Sequence, residues 1–184
     1  MFDFFKKKFF SKPEEQTHYD PTNIGILDLR KGFVLDYDMK TWTVEEEYEY
    51  DWGDDRYSYG FKLVSADDTI ILDVNEGDEV ECAVLKPLPW RKIADIVEDE
   101  IIKNERPPRK FTFEGVEYVC EGEHPGYFRN VHADGESIEF ITWDYTDYAG
   151  ERIINIEQWG ERDFEAYIGR RVNERDFTNI LPGT

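Results

Sequence analysis

Residues 41–64 read TWTVEEEYEYDWGDDRYSYGFKLV. Apolar and acidic residues alternate through the first half of this stretch, and the alternation resumes with the opposite parity after the turn at residues 53–55. A period of two is typical of a β-strand with one buried face. Two such runs joined by a Gly/Asp turn predict a β-hairpin. The aromatic side chains predicted to contribute to a common core from this hairpin are Trp42, Tyr48, Tyr50, Trp52, Tyr59 and Phe61.

Short alternating runs separated by turns continue on both sides of the hairpin and predict a mainly β protein. The stretch at residues 121–134 is less regular and is not predicted as a strand. Residues 90–102 alone carry helical spacing, because Trp90, Ile93 and Val97 recur at intervals of three and four. We therefore predict two tandem antiparallel β-meanders packed as a sandwich or flattened barrel, with one helix near residues 90–102.

The predicted layout is a tail and linker at residues 1–20 and a single β-rich domain at 21–184. Two similar halves, about 24–86 and 109–181, make up that domain. An alignment of the halves pairs Trp42 with Tyr118, Phe61 with Phe140, and Leu72 with Ile154. This pairing predicts an internal duplication; the alternative is the general similarity of any two β-meanders.

The chain has 184 residues with 42 Asp and Glu against 22 Lys and Arg, a formal net charge of −20. Nucleic-acid binding is therefore not expected, since it needs a basic face. The acidity serves solubility or attracts a cationic partner. The aromatic content of 16% supplies large side chains for a core or, alternatively, for the lining of a ligand pocket.

Residues 1–12 differ from the rest, with five Phe and four Lys against one Asp. This mixture suits a membrane interface, and attraction to the acidic body is the alternative. The candidate membrane contacts are Phe2, Phe5, Lys6, Lys7, Lys8 and Phe9. The lysines also break the apolar run that a secretory signal needs. With two cysteines expected as free thiols, we predict a cytoplasmic protein, peripheral to the inner membrane if the tail binds there.

Several aromatic motifs resemble a known family. They are Trp42-Thr43-Val44-Glu45-Glu46, Tyr50-x-Trp52, Tyr59-Gly60-Phe61-Lys62-Leu63, Trp143-Asp144-Tyr145 and Ile156-Glu157-Gln158-Trp159-Gly160. Together they resemble the bacterial Domain of Unknown Function 4178 family, from about Leu29 to the C-terminus. The resemblance implies a shared fold, and it implies no catalytic residues because the family has no established activity.

No residue pattern predicts catalysis. The sequence contains no nucleophile elbow and no Gly-rich phosphate loop. Cys120, His124 and His132 are types that bind zinc, but their spacing matches no standard structural zinc site. With so many acids, paired carboxylates arise by chance and carry no signal. We therefore expect no enzyme activity, no cofactor and no metal.

The predicted function is that of an acidic binding or adaptor protein that acts through another protein. The candidate face for a cationic partner is the acidic row Glu45, Glu47, Glu49 and Asp51. The alternative is a receptor for a small cationic ligand such as a polyamine, bound in an acidic pocket lined by aromatic side chains.

Overall fold

The computed structural model describes residues 19–20 and 23–183. Within them the chain forms eleven β-strands and one α-helix. The first-half strands are β1 (Val34–Tyr37), β2 (Lys40–Asp51), β3 (Tyr57–Val64), β4 (Thr69–Glu76) and β5 (Val80–Pro87). Helix α1 (Ala94–Asn104) separates the halves. The second-half strands are β6 (Lys110–Phe113), β7 (Val116–Asn130), β8 (Ile138–Asp147), β9 (Arg152–Gly160) and β10 (Asp163–Val172), and β11 (Thr178–Leu181) follows. The prediction of tandem antiparallel meanders with one helix is confirmed.

Eight of these strands close into a ring. The hydrogen-bonded order runs β2-β3-β4-β5-β10-β9-β8-β7, and β7 then pairs with the end of β2. Both β2 and β7 are long enough to change neighbour along their length. The first residues of β2 pair with β1, which also carries β11, and the first residues of β7 pair with β6. Ring closure corresponds to the flattened-barrel form of the prediction.

The two halves repeat the same strand order, and the ring joins them through equivalent strands. One seam is β5 against β10, and the other is β2 against β7. The ladders place Val44 and Leu63 opposite each other in the first half, and Cys120 and Tyr145 in the second. A duplication in the history of the chain stays a prediction.

The prediction that the aromatic residues of the hairpin share one face with Trp42 is wrong beyond Val44, because β2 contains a β-bulge there. The register of β2 on β3 shifts between Val44 and Glu46, and that of β7 on β8 shifts at the equivalent place. A bulge inserts one residue, so it exchanges the two faces of the strand beyond it. Glu47 consequently lies opposite Phe61, on the same face as Trp42 and Val44. The face with Tyr48, Tyr50 and Trp52 turns into the ring.

Two hydrophobic cores lie outside the ring, one against each half. The first is made of Ile26, Leu29, Phe33, Leu35, Tyr37, Trp42, Val44, Phe61, Leu63, Ile70, Leu72, Val74, Cys82 and Phe177. The second is made of Leu88, Ile93, Val97, Ile101, Phe111, Phe113, Tyr118, Trp143, Tyr145, Ile154, Ile156, Phe164 and Ala166. Because the outward faces of the strands form these cores, the ring itself is free to enclose polar groups.

The predicted helix at residues 90–102 is confirmed in substance. It begins with a 3-10 turn at Trp90–Lys92 and continues as α1, which ends where Glu105 adopts a left-handed conformation. Ile93, Val97 and Ile101 are buried in the second core, and each such side chain stabilises the fold by about 1.5–3 kcal/mol. The prediction of an irregular stretch at residues 121–134 is wrong for residues 121–130, because strand β7 continues to Asn130.

Candidate functional site

The ring encloses a cavity of about 440 Å³. Its lining comes from β2, β4, β5 and β7–β10, on the faces opposite the two hydrophobic cores. Small-molecule sites are typically concave spaces of this size, mostly apolar with a few polar groups that fix orientation. The cavity is therefore the candidate functional site.

Six aromatic rings form a continuous wall, which we call the aromatic wall: Tyr48, Tyr50, Trp52, Phe128, Phe140 and Trp159. Phe140 and Trp159 stack at 4.7 Å between ring centroids, and Tyr50 and Trp52 stack at 5.8 Å. Phe128 joins these pairs through contacts with Tyr50 and Trp159. Because the rings support one another, their positions are fixed before any ligand arrives.

Two glycines, Gly60 and Gly126, leave space for rings of the aromatic wall. A Cβ at Gly60 would lie 3.1 Å from the ring of Tyr50, and a Cβ at Gly126 would lie 2.8 Å from the indole of Trp52. The two rings therefore lie flat against the strands where a side chain would otherwise stand. This close approach is the physical reason for glycine at both positions.

Five carboxyl groups face the same space, and we call them the carboxyl set: Glu46, Asp73, Asp144, Glu157 and Glu165. No Lys, Arg or His lines the cavity within the described part of the chain. A concave site with one sign of charge raises the local concentration of ions of the opposite sign. The site therefore favours cations and disfavours anions.

Three members of the carboxyl set have polar partners. Glu46 accepts hydrogen bonds from Lys62 Nζ at 3.0 Å and from Asn130 Nδ2 at 2.7 Å. Asp144 accepts one from Asn155 Nδ2 at 2.6 Å, and its carboxylate lies 3.6 Å from His124 Nε2. Glu165 accepts a hydrogen bond from the Tyr167 hydroxyl at 2.8 Å.

Asp73 and Glu157 have no cationic partner: among the described residues, no Lys, Arg or His nitrogen lies within 4.0 Å of either carboxylate. Glu157 is only 7% exposed. Burial, reinforced by Glu165 and Asp73, raises the pKa of Glu157 to about 8. Burial, reinforced by Asp144, raises the pKa of Asp73 to about 7. The shifts follow because a charge is unfavourable where water is excluded and like charges are near.

Asp73 and Glu157 occupy equivalent places in the two halves. In the first half the ladders lead from Leu63 to Ile70, three residues before Asp73. In the second half they lead from Tyr145 to Ile154, three residues before Glu157. Each half thus contributes one carboxyl from the same inward position of its fourth strand.

The Trp159 indole adds a buried N–H donor to the site. Its Nε1 is buried and has no hydrogen-bond partner of ordinary geometry among the described residues. The indole lowers the pKa of Glu157, because it favours the ionised carboxylate. Burial raises the same pKa by more than the indole lowers it. A buried donor without a partner is unfavourable, so Trp159 is suited to stabilise Glu157 in its ionised form.

A second concavity of about 560 Å³ lies outside the ring along the β5–β10 seam. Its lining mixes four basic side chains with three acids, and Lys40 and Lys86 share one partner, Asp68. The mixed charge selects no ion of one sign. The cavity inside the ring, with its single sign of charge, is the stronger candidate.

The predicted acidic row does not form one open face. Glu45 pairs with Lys62 Nζ at 2.6 Å, Glu49 with Arg129 at 2.9 Å, and Asp51 accepts a hydrogen bond from the Gly53 amide at 2.8 Å. Glu47 is 6% exposed and is bound by the Lys31 amide and by His132. The bulge brings Glu47, Glu49 and Asp51 onto the face of the first core. A role for this row toward a cationic partner stays a prediction.

The remaining expectations from the sequence concern the N-terminal tail, metal ligands, membrane helices and the two cysteines. The tail residues Phe2, Phe5, Lys6, Lys7, Lys8 and Phe9 lie outside the described residues. Over residues 19–20 and 23–183, no three His, Cys, Asp or Glu side chains converge as metal ligands. Within that same part, no helix is long and apolar enough to cross a membrane. Cys82 is buried and Cys120 half-buried, both as free thiols.

Sequence reasoning missed the carboxyl set. Asp73 and Glu157 carry a usable signal, because each follows the equivalent core residue, Leu72 or Ile156, in its half. The alignment made from sequence pairs Leu72 with Ile154, two residues out of register. That shift sets Asp73 against Asn155, and the match between the two acids disappears.

Comparison with known proteins gives a family and one similar protein. Residues 30–174 match the family described as "Domain of unknown function (DUF4178)". An uncharacterized protein of Aquifex aeolicus (strain VF5) is 29% identical over 182 residues, which cover 96% of each chain. No solved structure matches. Neither the family description nor the relative's name indicates an enzyme activity.

Proposed function

Since this chain belongs to the DUF4178 family of domains of unknown function, we propose its function from the cavity: it is a non-enzymatic receptor for a small organic cation. A polyamine is the chemical class that fits best, because it combines several ammonium groups with apolar methylene segments. The ammonium groups match the carboxyl set, and the methylenes match the aromatic wall.

One observation carries the proposal. Glu157 is buried inside a cavity of about 440 Å³ whose described lining contains five carboxyl groups and no basic side chain. A buried charge is normally paired. Glu157 and Asp73 have no such partner among the residues that the structure describes, so a cation supplied by a ligand is the group that would complete the site.

The aromatic wall strengthens the same preference. A cation against an aromatic face gains about 0.5–2 kcal/mol. A hydrogen bond from an ammonium to a carboxylate adds about 1.5–3 kcal/mol. Both kinds of contact favour a cation over a neutral ligand of the same shape.

We place this receptor in a reducing compartment, the bacterial cytoplasm, which the free thiols of Cys82 and Cys120 support. The adaptor role predicted from the acidic row stays a separate prediction. It has less support than the receptor role, because the row is engaged with Lys62, Arg129 and His132.

Calorimetric titration with spermidine at about 0.15 M salt tests the proposal. We expect saturable binding by the full chain and at least a ten-fold weaker affinity in the double variant Asp73→Asn/Glu157→Gln. The matched control is Glu161→Gln, since Glu161 is exposed at the turn after β9. Butane-1,4-diol, which has no charge, is expected not to bind. Equal affinities for the double variant and the wild type would contradict the proposal.

A further inference from the structure

The cavity contains more acid than its surroundings neutralise. Lys62 pairs with Glu46, and His124 lies beside Asp144. Nothing comparable reaches Asp73 or Glu157 from the described residues. Carboxylates that share a water-poor space cannot all be ionised, because each charge disfavours the next. Without a bound cation, the carboxyl set therefore needs another source of balancing charge.

The elements around Asp73 and Glu157 supply no such substitute. Strand β2 presents the phenols of Tyr48 and Tyr50, and burial raises the pKa of both. On β3, Lys62 is turned toward Glu45 and Glu46, while β5 presents Leu85. The remaining titratable groups are Asp144 of β8, His124 of β7, and Glu165 and Tyr167 of β10. Within residues 19–20 and 23–183, protons are therefore the groups left to balance the two carboxyls.

We infer that the cavity exchanges protons for its cation: Asp73 and Glu157 hold protons when the cavity is empty and release them to solvent when the cation binds. The inference rests on the proposed function. The exchange is balanced, because each neutral carboxyl loses one proton and becomes the carboxylate that pairs with one ammonium group. No bond other than the O–H of the carboxyl is broken.

The equivalent positions of Asp73 and Glu157 favour a ligand with two ammonium groups. Asp73 and Glu157 come from corresponding places in the two halves, so they present two separate anionic points to one cavity. A linear diamine has one ammonium at each end, so it is the probe that can pair with both points. A monoamine of the same length satisfies one and releases fewer protons.

The pKa values place this exchange near neutral pH. That of Asp73 is about 7 and that of Glu157 about 8. At pH 7 the empty site then holds between one and about 1.5 protons on these two groups. Below neutral pH the cation must displace more protons, so its affinity falls. We expect the affinity to drop by at least about ten-fold between pH 8 and pH 6.

Calorimetry in two buffers tests the exchange directly. The probe is 1,4-diaminobutane, whose primary amines resemble Lys with a pKa of about 10.4 and stay charged through this range. At pH 7 in Tris and in phosphate, the difference in observed heat gives the number of protons released. We expect about 1 to 1.5 for the wild type, and about one fewer for Glu157→Gln. Butylamine is expected to release fewer protons than the diamine.

Three controls separate the causes. His124→Gln is expected to keep the proton release, which excludes the imidazole as its source, and Glu161→Gln is expected to match the wild type. If Glu157→Gln does not fold, Asp73→Asn and the pH dependence of the wild type replace it. Binding with the same heat in both buffers would overturn the proposed proton exchange, but it would not contradict the proposed receptor function. No binding of spermidine or 1,4-diaminobutane from pH 6 to 8.5 would overturn both.

Discussion

Replacing Glu157 by Gln is expected to stabilise the protein, by an amount that grows with pH. The substitution keeps the shape of the side chain and removes a carboxyl that the fold holds in a water-poor cavity. Burial raises its pKa from 4.5 to about 8. The folded protein then binds this proton more tightly than the unfolded chain. The penalty is absent below pH 4.5 and increases until the pH passes about 8.

The size of the effect follows from the pKa values. The difference of 8 − 4.5 = 3.5 units, at about 1.4 kcal/mol per unit, sets a ceiling of about 5 kcal/mol. Part of this penalty is already present at pH 5, which lies above the ordinary pKa of 4.5. We therefore expect the stability difference between Glu157→Gln and the wild type to grow by about 2–4 kcal/mol from pH 5 to pH 9.

Urea unfolding of both proteins at pH 5, 7 and 9 measures this difference. Groups that do not interact with Glu157 titrate alike in both proteins and cancel in the comparison. Glu161→Gln, an exposed Glu-to-Gln change, controls for the loss of one negative charge from an acidic molecule. A stability difference that stays constant within about 0.5 kcal/mol over this range would refute the assignment of Glu157 to a water-poor cavity.

Three further predictions follow from the fold, the aromatic wall and the tail. Ile93→Ala removes a fully buried side chain of the second core and is expected to cost about 2–4 kcal/mol in urea unfolding, whereas Ile102→Ala, at a 46% exposed position, costs much less. Gly126→Ala places a Cβ 2.8 Å from the Trp52 indole and is expected to weaken spermidine binding and to lower stability by about 1–3 kcal/mol, while Gly135→Ala, with nothing within 4 Å, changes neither. Removal of residues 1–12 is expected to abolish co-flotation with anionic lipid vesicles, and equal flotation of the full and shortened chains would exclude the tail as the membrane contact.

The sequence predicted correctly those parts of the fold that depend on a short-range pattern of residues. The hairpin turn at Gly53-Asp54-Asp55 is correct, and Asp54 and Asp55 adopt the positive φ that such turns require. The helical stripe of Ile93, Val97 and Ile101 is correct as well. These features depend on residues close together in the chain. The ring closure does not, because the pairing of β2 with β7 joins residues about 80 positions apart.

The candidate site was only partly predictable. The sequence indicated an acidic, aromatic-lined pocket as an alternative but did not locate it. The bulge after Val44 reverses the faces of β2 and sends Tyr48 and Tyr50 into the cavity. In a chain with 42 acids, local composition cannot distinguish the buried Glu157 from its exposed neighbours. The distinction comes from the tertiary structure, because the inward face of β9 lines the cavity and its outward face packs in the second core.

The most direct test of the central claim is the titration of the wild-type protein and the Asp73→Asn/Glu157→Gln variant with spermidine at about 0.15 M salt. The receptor proposal predicts saturable heat and a raised melting temperature for the wild type, with at least a ten-fold loss of affinity in a folded double variant. Absence of heat and of any thermal shift in the wild type would contradict it.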